Sequence, residues 1–85
     1  MNAVVYVLGS FAREACRTYV GWTDDIEKRL AAHNNGSGAK STRGRVWFLL
    51  YAERHENRSA AMSREAHLKR DRAFRKLLAE TVLGR

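Results

Sequence analysis

The sequence has few of the residues that mark secreted, zinc-binding or membrane-spanning proteins. Cys16 is the only cysteine, so no intrachain disulfide can form and no cysteine cluster can hold zinc. No run approaches the ~20 consecutive apolar residues that a membrane span needs. The first residues also lack the charged region that opens a secretory signal. We therefore expect a cytoplasmic protein with no membrane partner.

Acidic residues are scarce as well. The chain has 9 Asp and Glu but 16 Lys and Arg, which gives a formal net charge of +7. Residues 58–76 contain seven of the basic residues and only two acidic ones. Such an excess favours polyanionic partners. Because ordinary basic surfaces and ribosome-associated polypeptides share this property, charge alone names no reaction.

Proline, internal repeats and low-complexity tracts are absent, and the hydrophobic residues, 45% of the chain, lie in separated runs. A chain of 85 residues has room for one hydrophobic core. We therefore predict a single folded domain over residues 1–85, with its core at about residues 3–80.

Three short apolar runs, at residues 3–8, 17–22 and 46–52, are rich in β-branched and aromatic residues and predict strands. Gly9 and Ser10 are expected to end the first strand, and the short segment that follows predicts an antiparallel hairpin. The third run is apolar on both alternating faces, which predicts a central position in the sheet.

The first predicted helix follows the second strand. Thr23 or Asp24 can cap it, and Ile26 and Leu30, four residues apart, turn one face inward. Asparagine and glycine at residues 34–38 end it. We expect a mobile basic loop through residue 44, which is either a flexible linker or a loop that grips nucleic acid.

Two further helices are predicted after the third strand. Ser59 can cap the first of them, which runs to Lys69, and the last begins near Asp71. The sequence leaves open whether the two form one bent helix. The order strand, strand, helix, strand, helix, helix predicts an α+β fold, in which a three-stranded antiparallel sheet is flanked by helices.

Four polar side chains occupy positions at which their spacing matters. Tyr6 and Tyr19 lie in the first two strands, where single tyrosines are usually structural. Arg29 follows Ile26 by three residues, and His33 follows Arg29 by four. Both therefore project from the edge of the helix's buried face, where a guanidinium needs a partner.

Glu65 is an acidic residue on an apolar stripe, since Ala61 precedes it by four residues and Leu68 follows it by three. Burying an ionised carboxylate costs several kcal/mol unless a cation or hydrogen bonds compensate. A salt bridge to Arg29 or Lys69 would meet this need, and so would a bound metal ion. The pattern alone does not decide between them.

The ordered set of VVY at residues 4–6, YVG at residues 19–21, Arg29 and His33 on the next helix, and then Glu65, resembles the motifs of the GIY-YIG nucleases. The resemblance spans most of the chain and is greatest to the small stand-alone bacterial members, whose loop also resembles GSGAKSTRG here. Val4 replaces the family's first glycine, no asparagine follows Glu65, and a lysine that some relatives have after the first motif is missing.

The resemblance implies a metal-dependent nuclease that hydrolyses phosphodiester bonds, in DNA more readily than in RNA, with low sequence specificity. In relatives the tyrosine matching Tyr6 is proposed to deprotonate the attacking water; Tyr19 would bind the phosphate or the water, Arg29 would bind phosphate, and His33 would orient groups or relay a proton. Glu65 would hold one divalent ion, Mg²⁺ or Mn²⁺. The candidates for contacts with backbone phosphates are Lys40, Thr42, Arg43, Arg72, Arg75 and Lys76.

Two other functions remain open. A non-catalytic nucleic-acid-binding module could keep the same scaffold and its basic helices. The chain could also be a small structural part of a larger assembly. A domain of this size offers little surface for discrimination, so a partner protein is a candidate source of its specificity.

Overall fold

A computed structural model describes residues 3–12 and 15–84. Three strands, β1 (Ala3–Ala12), β2 (Ala15–Thr23) and β3 (Phe48–His55), form one antiparallel sheet in the order β2-β1-β3. The helices are α1 (Ile26–Asn35), α2 (Arg58–Arg70) and α3 (Arg72–Leu83), and a short 3-10 turn covers Lys40–Thr42. The predicted α+β fold and its order of elements are confirmed.

The central strand is β1, so the prediction that the third strand is central was wrong. β1 buries side chains on both faces of the sheet, whereas β3 leaves Phe48 and Leu49 exposed at the sheet's edge. Both strands are apolar on both faces. Only β1 has a hydrogen-bonded strand on each side. Which strand becomes central depends on pairing between segments that are distant in the sequence.

β1 also continues past the two residues that were expected to end it. Gly9 pairs with Thr18 and Ser10 pairs with Arg17, so the hairpin ladder runs on to Ala12. A Cβ atom at Gly9 would lie 2.6 Å from a methyl carbon of Leu50. This glycine therefore allows β3 to pack closely across the strand and does not form a turn.

Asparagine and aspartate side chains begin all three helices. Asp25, and not Thr23 or Asp24, caps α1 by accepting a hydrogen bond from the Lys28 backbone N–H at 3.1 Å. Asn57, two residues before Ser59, caps α2 through Ala60.

Asp71 separates the last two helices. It ends α2 and caps α3 by accepting from the Phe74 backbone N–H at 3.0 Å. The chain turns at this residue, and α2 and α3 are separate helices.

The core lies on both faces of the sheet. On one face Val5, Val7 and Val20 pack against Ala61 and Leu68 of α2, with Phe74 and Leu78 of α3 at its margin.

On the other face of the sheet Tyr6, Leu8 and Trp47 pack with Tyr19 and with Ile26 and Leu30 of α1. Within the described ranges, no helix combines the length and the apolar character needed to cross a membrane.

Candidate active site

Tyr6 lies on the central strand β1, and its side chain extends across the neighbouring edge strand β2. Its side chain is buried, with 1% exposed, and it pairs in register with Gly21 of β2. A Cβ atom at Gly21 would collide with the phenol oxygen of Tyr6. The glycine of YVG therefore leaves the space through which the phenol reaches the β2 edge of the sheet.

His33 is fully buried beneath this phenol and has a partner at each ring nitrogen. Its Nε2 lies 2.9 Å from the Tyr6 hydroxyl, and its Nδ1 lies 2.8 Å from the Thr42 hydroxyl. Burial, reinforced by the nearby positive charge of Arg29, lowers the pKa of His33. The imidazole is therefore held in its neutral form at neutral pH.

Tyr19 and Arg29 complete a cluster around these rings. The Tyr19 ring centroid lies 4.9 Å from that of His33 and 6.4 Å from that of Tyr6. Burial raises the pKa of Tyr6, and the Arg29 guanidinium beside the phenol acts in the opposite direction. Hydrogen bonding to Tyr6 is the main reason that the pKa of Arg29 is itself raised. Four of the predicted site residues are thus brought together in space.

Glu65 lies on α2, which packs on the face of the sheet opposite the cluster that contains Tyr6. Its negative charge contributes to the raised pKa of Tyr6, so the carboxylate lies within electrostatic reach of that side chain. It also lies 3.4 Å from the ammonium group of Lys69, four residues along the helix. Of the two ion pairs that the sequence suggested for Glu65, the structure forms the one with Lys69.

The surroundings of Glu65 fit a single hard divalent cation. The carboxylate is 22% exposed and its lysine partner is 54% exposed, and such surface pairs contribute only about 0–1 kcal/mol. Within residues 3–12 and 15–84 there is no group of three or more His, Cys, Asp and Glu that could enclose a metal. One carboxylate suits Mg²⁺, which takes most of its remaining ligands from water and from substrate phosphate.

The basic residues predicted to contact phosphate differ in how they are placed. Lys40 and Arg43 are exposed at the 3-10 turn, and Arg72 and Lys76 are exposed on α3. With Arg75 and Thr18, the latter two line a groove of about 400 Å³ between β2 and α3.

Thr42 and Arg75 are placed otherwise than the sequence suggested. Thr42 is fully buried and its hydroxyl contacts His33, so it is closed to a phosphate. Arg75 is partly buried, and its guanidinium donates to the Thr18 hydroxyl at 3.1 Å and to the Lys69 carbonyl at 2.9 Å. Arg75 therefore links α3 to the edge strand β2.

Sequence reasoning missed the residues that hold the loop before β3. The Asn34 side chain bonds the backbone N and O of Trp47 at 2.6 and 3.0 Å, and the Trp47 indole N–H donates to the Thr42 carbonyl at 2.8 Å. These contacts give the end of the loop fixed partners on α1 and in the segment before β3. One signal was present: His33 lies seven residues after Ile26, on the buried face, and a buried imidazole requires polar partners nearby.

The sequence matches the family of the GIY-YIG catalytic domain over residues 2–77. It is 55% identical over 53 residues to a UPF0213 protein of Clostridium perfringens, a match that covers 61% of this chain and 57% of the relative. A UPF0213 protein of Streptococcus pneumoniae is 48% identical over 73 residues, which is 81% of this chain and 68% of the relative.

A third UPF0213 protein, from Natronomonas pharaonis, is 48% identical over 66 residues, or 76% of this chain and 74% of that protein. The matched part of the chain thus spans less than two thirds of the Clostridium protein and about seven tenths of the other two. No solved structure matches the chain significantly.

Proposed function

The chain belongs to the GIY-YIG family of nucleases, and we propose that it is a divalent-metal-dependent endonuclease that hydrolyses phosphodiester bonds in nucleic acid, DNA in preference to RNA. The observation that supports this most is the contact between the phenol of Tyr6 and the buried imidazole of His33, 2.9 Å apart, with Arg29 beside them. A phenol placed against a proton acceptor and a cation is suited to activate water.

The proton transfers follow from the order of these contacts. Tyr6 is protonated at rest, because burial raises its pKa. To accept a proton from water, the phenol gives its own proton to Nε2 of His33. The water oxygen then forms a bond to phosphorus as the bond from phosphorus to the leaving oxygen breaks. The leaving oxygen takes a proton from solvent, and Tyr6 then passes the surplus proton to solvent as it takes its original proton back from Nε2 of the buried His33.

Arg29 and Tyr19 would bind and orient the phosphate. A guanidinium can engage two phosphate oxygens at once, and its charge would offset the negative charge that develops on them. Arg29 also favours the deprotonated form of the phenol, which eases the first proton transfer. Glu65 would hold one Mg²⁺ or Mn²⁺ ion, whose charge, when bound, would stabilise the leaving oxygen.

The exposed basic side chains would hold the polymer on either side of the cluster. Lys40 and Arg43 belong to the loop over α1, and Arg72 and Lys76 belong to α3. Contacts with backbone phosphates fix the position of a nucleic acid and carry no information about its bases. We therefore expect low sequence specificity, to which a partner protein could add.

Cleavage assays test this proposal. Purified protein would be incubated with labelled single-stranded, duplex and branched DNA and with RNA, in Mg²⁺, Mn²⁺ or chelator. Tyr6→Phe and Glu65→Gln are each expected to lower the cleavage rate by about a hundredfold or more, since they remove the base and the metal ligand.

Matched controls are Tyr51→Phe, on the face of the sheet opposite Tyr6, and Glu56→Gln, which is exposed just after β3. Both should cut at nearly the rate of the unaltered protein. Cutting that survives Tyr6→Phe and Glu65→Gln would refute the proposal. Salt-sensitive binding without any cutting would identify the chain as the non-catalytic binding module.

A further inference from the structure

We propose that Thr42 is a positioning residue, which fixes the tautomer of His33 so that Nε2 is free to receive the proton of Tyr6. The catalytic consequence rests on the function proposed above. The tautomer itself is a property of the resting protein, and it can be measured without any substrate.

The hydrogen-bond partners of Thr42 determine where its proton goes. Its hydroxyl oxygen lies 2.8 Å from the Ala39 carbonyl oxygen and 2.8 Å from Nδ1 of His33. A carbonyl oxygen can only accept, so the single hydroxyl proton points at Ala39. The hydroxyl therefore accepts from His33, and the ring proton must be on Nδ1.

The opposite nitrogen of His33 is then an acceptor. A neutral imidazole carries one ring proton, and with that proton on Nδ1 its Nε2 has only a lone pair. The Tyr6 hydroxyl, 2.9 Å away, must donate to it. Burial and the charge of Arg29 both lower the pKa of His33, which is consistent with a neutral ring. Tyr19, another titratable group beside this ring, has its ring centroid 4.9 Å from that of His33, with the two ring planes inclined at 59°.

Backbone contacts hold Thr42 in this place independently of any substrate. The N–H groups of Ser37 and Gly38 both donate to the Ala32 carbonyl, at 3.0 and 2.9 Å, and so turn the loop back onto α1. On the other side of the loop, the Trp47 indole N–H donates a hydrogen bond to the Thr42 carbonyl. Gly38 permits the approach, because a Cβ atom there would lie 2.6 Å from Nδ1 of His33.

The tautomer decides whether a proton can pass from phenol to imidazole. If Nε2 carried the ring proton, His33 would be a donor toward Tyr6 and could not receive the phenol's proton. The hydroxyl of Thr42 disfavours that arrangement, because turning its proton toward Nδ1 would leave its oxygen 2.8 Å from the Ala39 carbonyl oxygen with no proton between them. Thr42 thus acts on Tyr6 through His33 without touching the reacting atoms.

Long-range ¹H–¹⁵N correlation spectra of the histidine side chains test the assignment directly. The unaltered protein is expected to show His33 protonated at Nδ1 and not at Nε2. Thr42→Ser keeps the hydroxyl and should preserve that pattern, whereas Thr42→Val removes the acceptor and should raise the population protonated at Nε2. Thr81→Val, at an exposed threonine on α3, is the matched control and should change nothing.

The variant Tyr6→Phe tests whether Thr42 or Tyr6 sets the tautomer of His33. We expect its His33 to remain protonated at Nδ1, because Thr42 still accepts there. Protonation at Nε2 in the unaltered protein, a change of tautomer in Tyr6→Phe, or a folded Thr42→Val with an unchanged ring would each overturn the proposal. If Thr42→Val does not fold, the ring of Tyr6→Phe decides the question.

Cleavage kinetics then test the catalytic consequence. Thr42→Val should lower kcat by about tenfold or more with little change in KM, and Thr42→Ser should restore most of it. Unchanged kcat in a folded Thr42→Val would contradict the positioning role. If the unaltered protein cuts nothing, the proposed function fails, while the spectra still report whether Thr42 sets the tautomer.

Discussion

At the scale of single residues, the candidate site depends as much on missing side chains as on present ones. Gly21 leaves room for the phenol of Tyr6, and Gly38 leaves room for the ring of His33. The sequence motif indicated that Gly21 mattered, but not that its function is to admit a side chain from the neighbouring strand. That reason appears only once Tyr6 and Gly21 are paired in register.

Gly21→Ala is expected to displace the Tyr6 phenol and separate it from His33. The added methyl group would collide with the phenol oxygen in a buried site, where overpacking typically costs about 1–3 kcal/mol. We expect a lower midpoint of urea unfolding and a cleavage rate lowered by about tenfold or more, since small displacements of a catalytic group are costly.

Gly84→Ala provides the comparison for this substitution. Gly84 has a φ of 78° and nothing near its added methyl group, so alanine there should cost about 1 kcal/mol of stability through backbone strain alone. Its cleavage rate should be unchanged. Equal cleavage by Gly21→Ala and the unaltered protein would show that the phenol does not need its present position.

At the scale of elements, a polar network ties the exposed edge strand to a helix. The Glu53 carboxylate on β3 accepts hydrogen bonds from Tyr51 at 2.5 Å, from His55 at 2.9 Å and from Arg64 of α2 at 2.6 Å. Although burial acts against ionisation, these bonds lower the pKa of Glu53 to about 2. The network gives β3 an attachment that its exposed Phe48 and Leu49 do not provide.

Glu53→Gln should weaken this attachment and remove part of the protein's acid sensitivity. A carboxyl whose pKa is depressed on folding contributes stability fully above its ordinary value of 4.5, and loses it as the pH falls toward about 2. At pH 7 the substitution should lower the free energy of unfolding by about 1–3 kcal/mol.

Thermal unfolding at pH 7 and at pH 3 would measure this effect. The difference between Glu53→Gln and the unaltered protein should shrink at the lower pH, while the exposed Glu56→Gln should match the unaltered protein at both. A difference of equal size at pH 7 and pH 3 would contradict the role given to the ionised carboxylate.

At the scale of the whole molecule, four of the exposed basic side chains lie near the cluster or beside the β2 edge of the sheet, namely Lys40, Arg43, Arg72 and Lys76. Exposed lysines and arginines of the 3-10 turn and of α3 lie on elements that adjoin the cluster or the β2 edge, whereas Arg54 lies on β3 at the other edge. The net positive charge predicted a polyanionic partner, and the fold determines which basic side chains lie near the cluster and the β2 edge. A nucleic acid held this way would lie along β2.

Binding measured against salt concentration tests that direction. Each phosphate contact on duplex DNA contributes about 0.9 to the slope of log affinity against log salt. The double variant Lys40→Gln, Arg43→Gln should therefore lower the slope by about 2, whereas Arg54→Gln should leave it nearly unchanged. If Arg54→Gln lowered the slope by half as much as the double variant, each charge would count equally, and the field would be diffuse with no defined path for the polymer.

The sequence by itself determined the kinds of elements, their order and the motif residues, because strand and helix patterns and capping residues are local properties of the chain. Helix starts were predicted to within two residues, and competition between neighbouring polar side chains, as among Thr23, Asp24 and Asp25, explains the difference. The family motifs in the sequence also identified Tyr6, Tyr19, Arg29, His33 and Glu65 as candidates.

Only the tertiary structure decided which strand is central, why Thr42 faces His33 and not a phosphate, and how Arg75 is engaged. Each of these depends on contacts between segments far apart in the chain. The 46–52 run has the same apolar composition at an edge as in the middle of a sheet. A threonine in a glycine-rich loop has no local feature that reveals whether a buried imidazole lies beneath it.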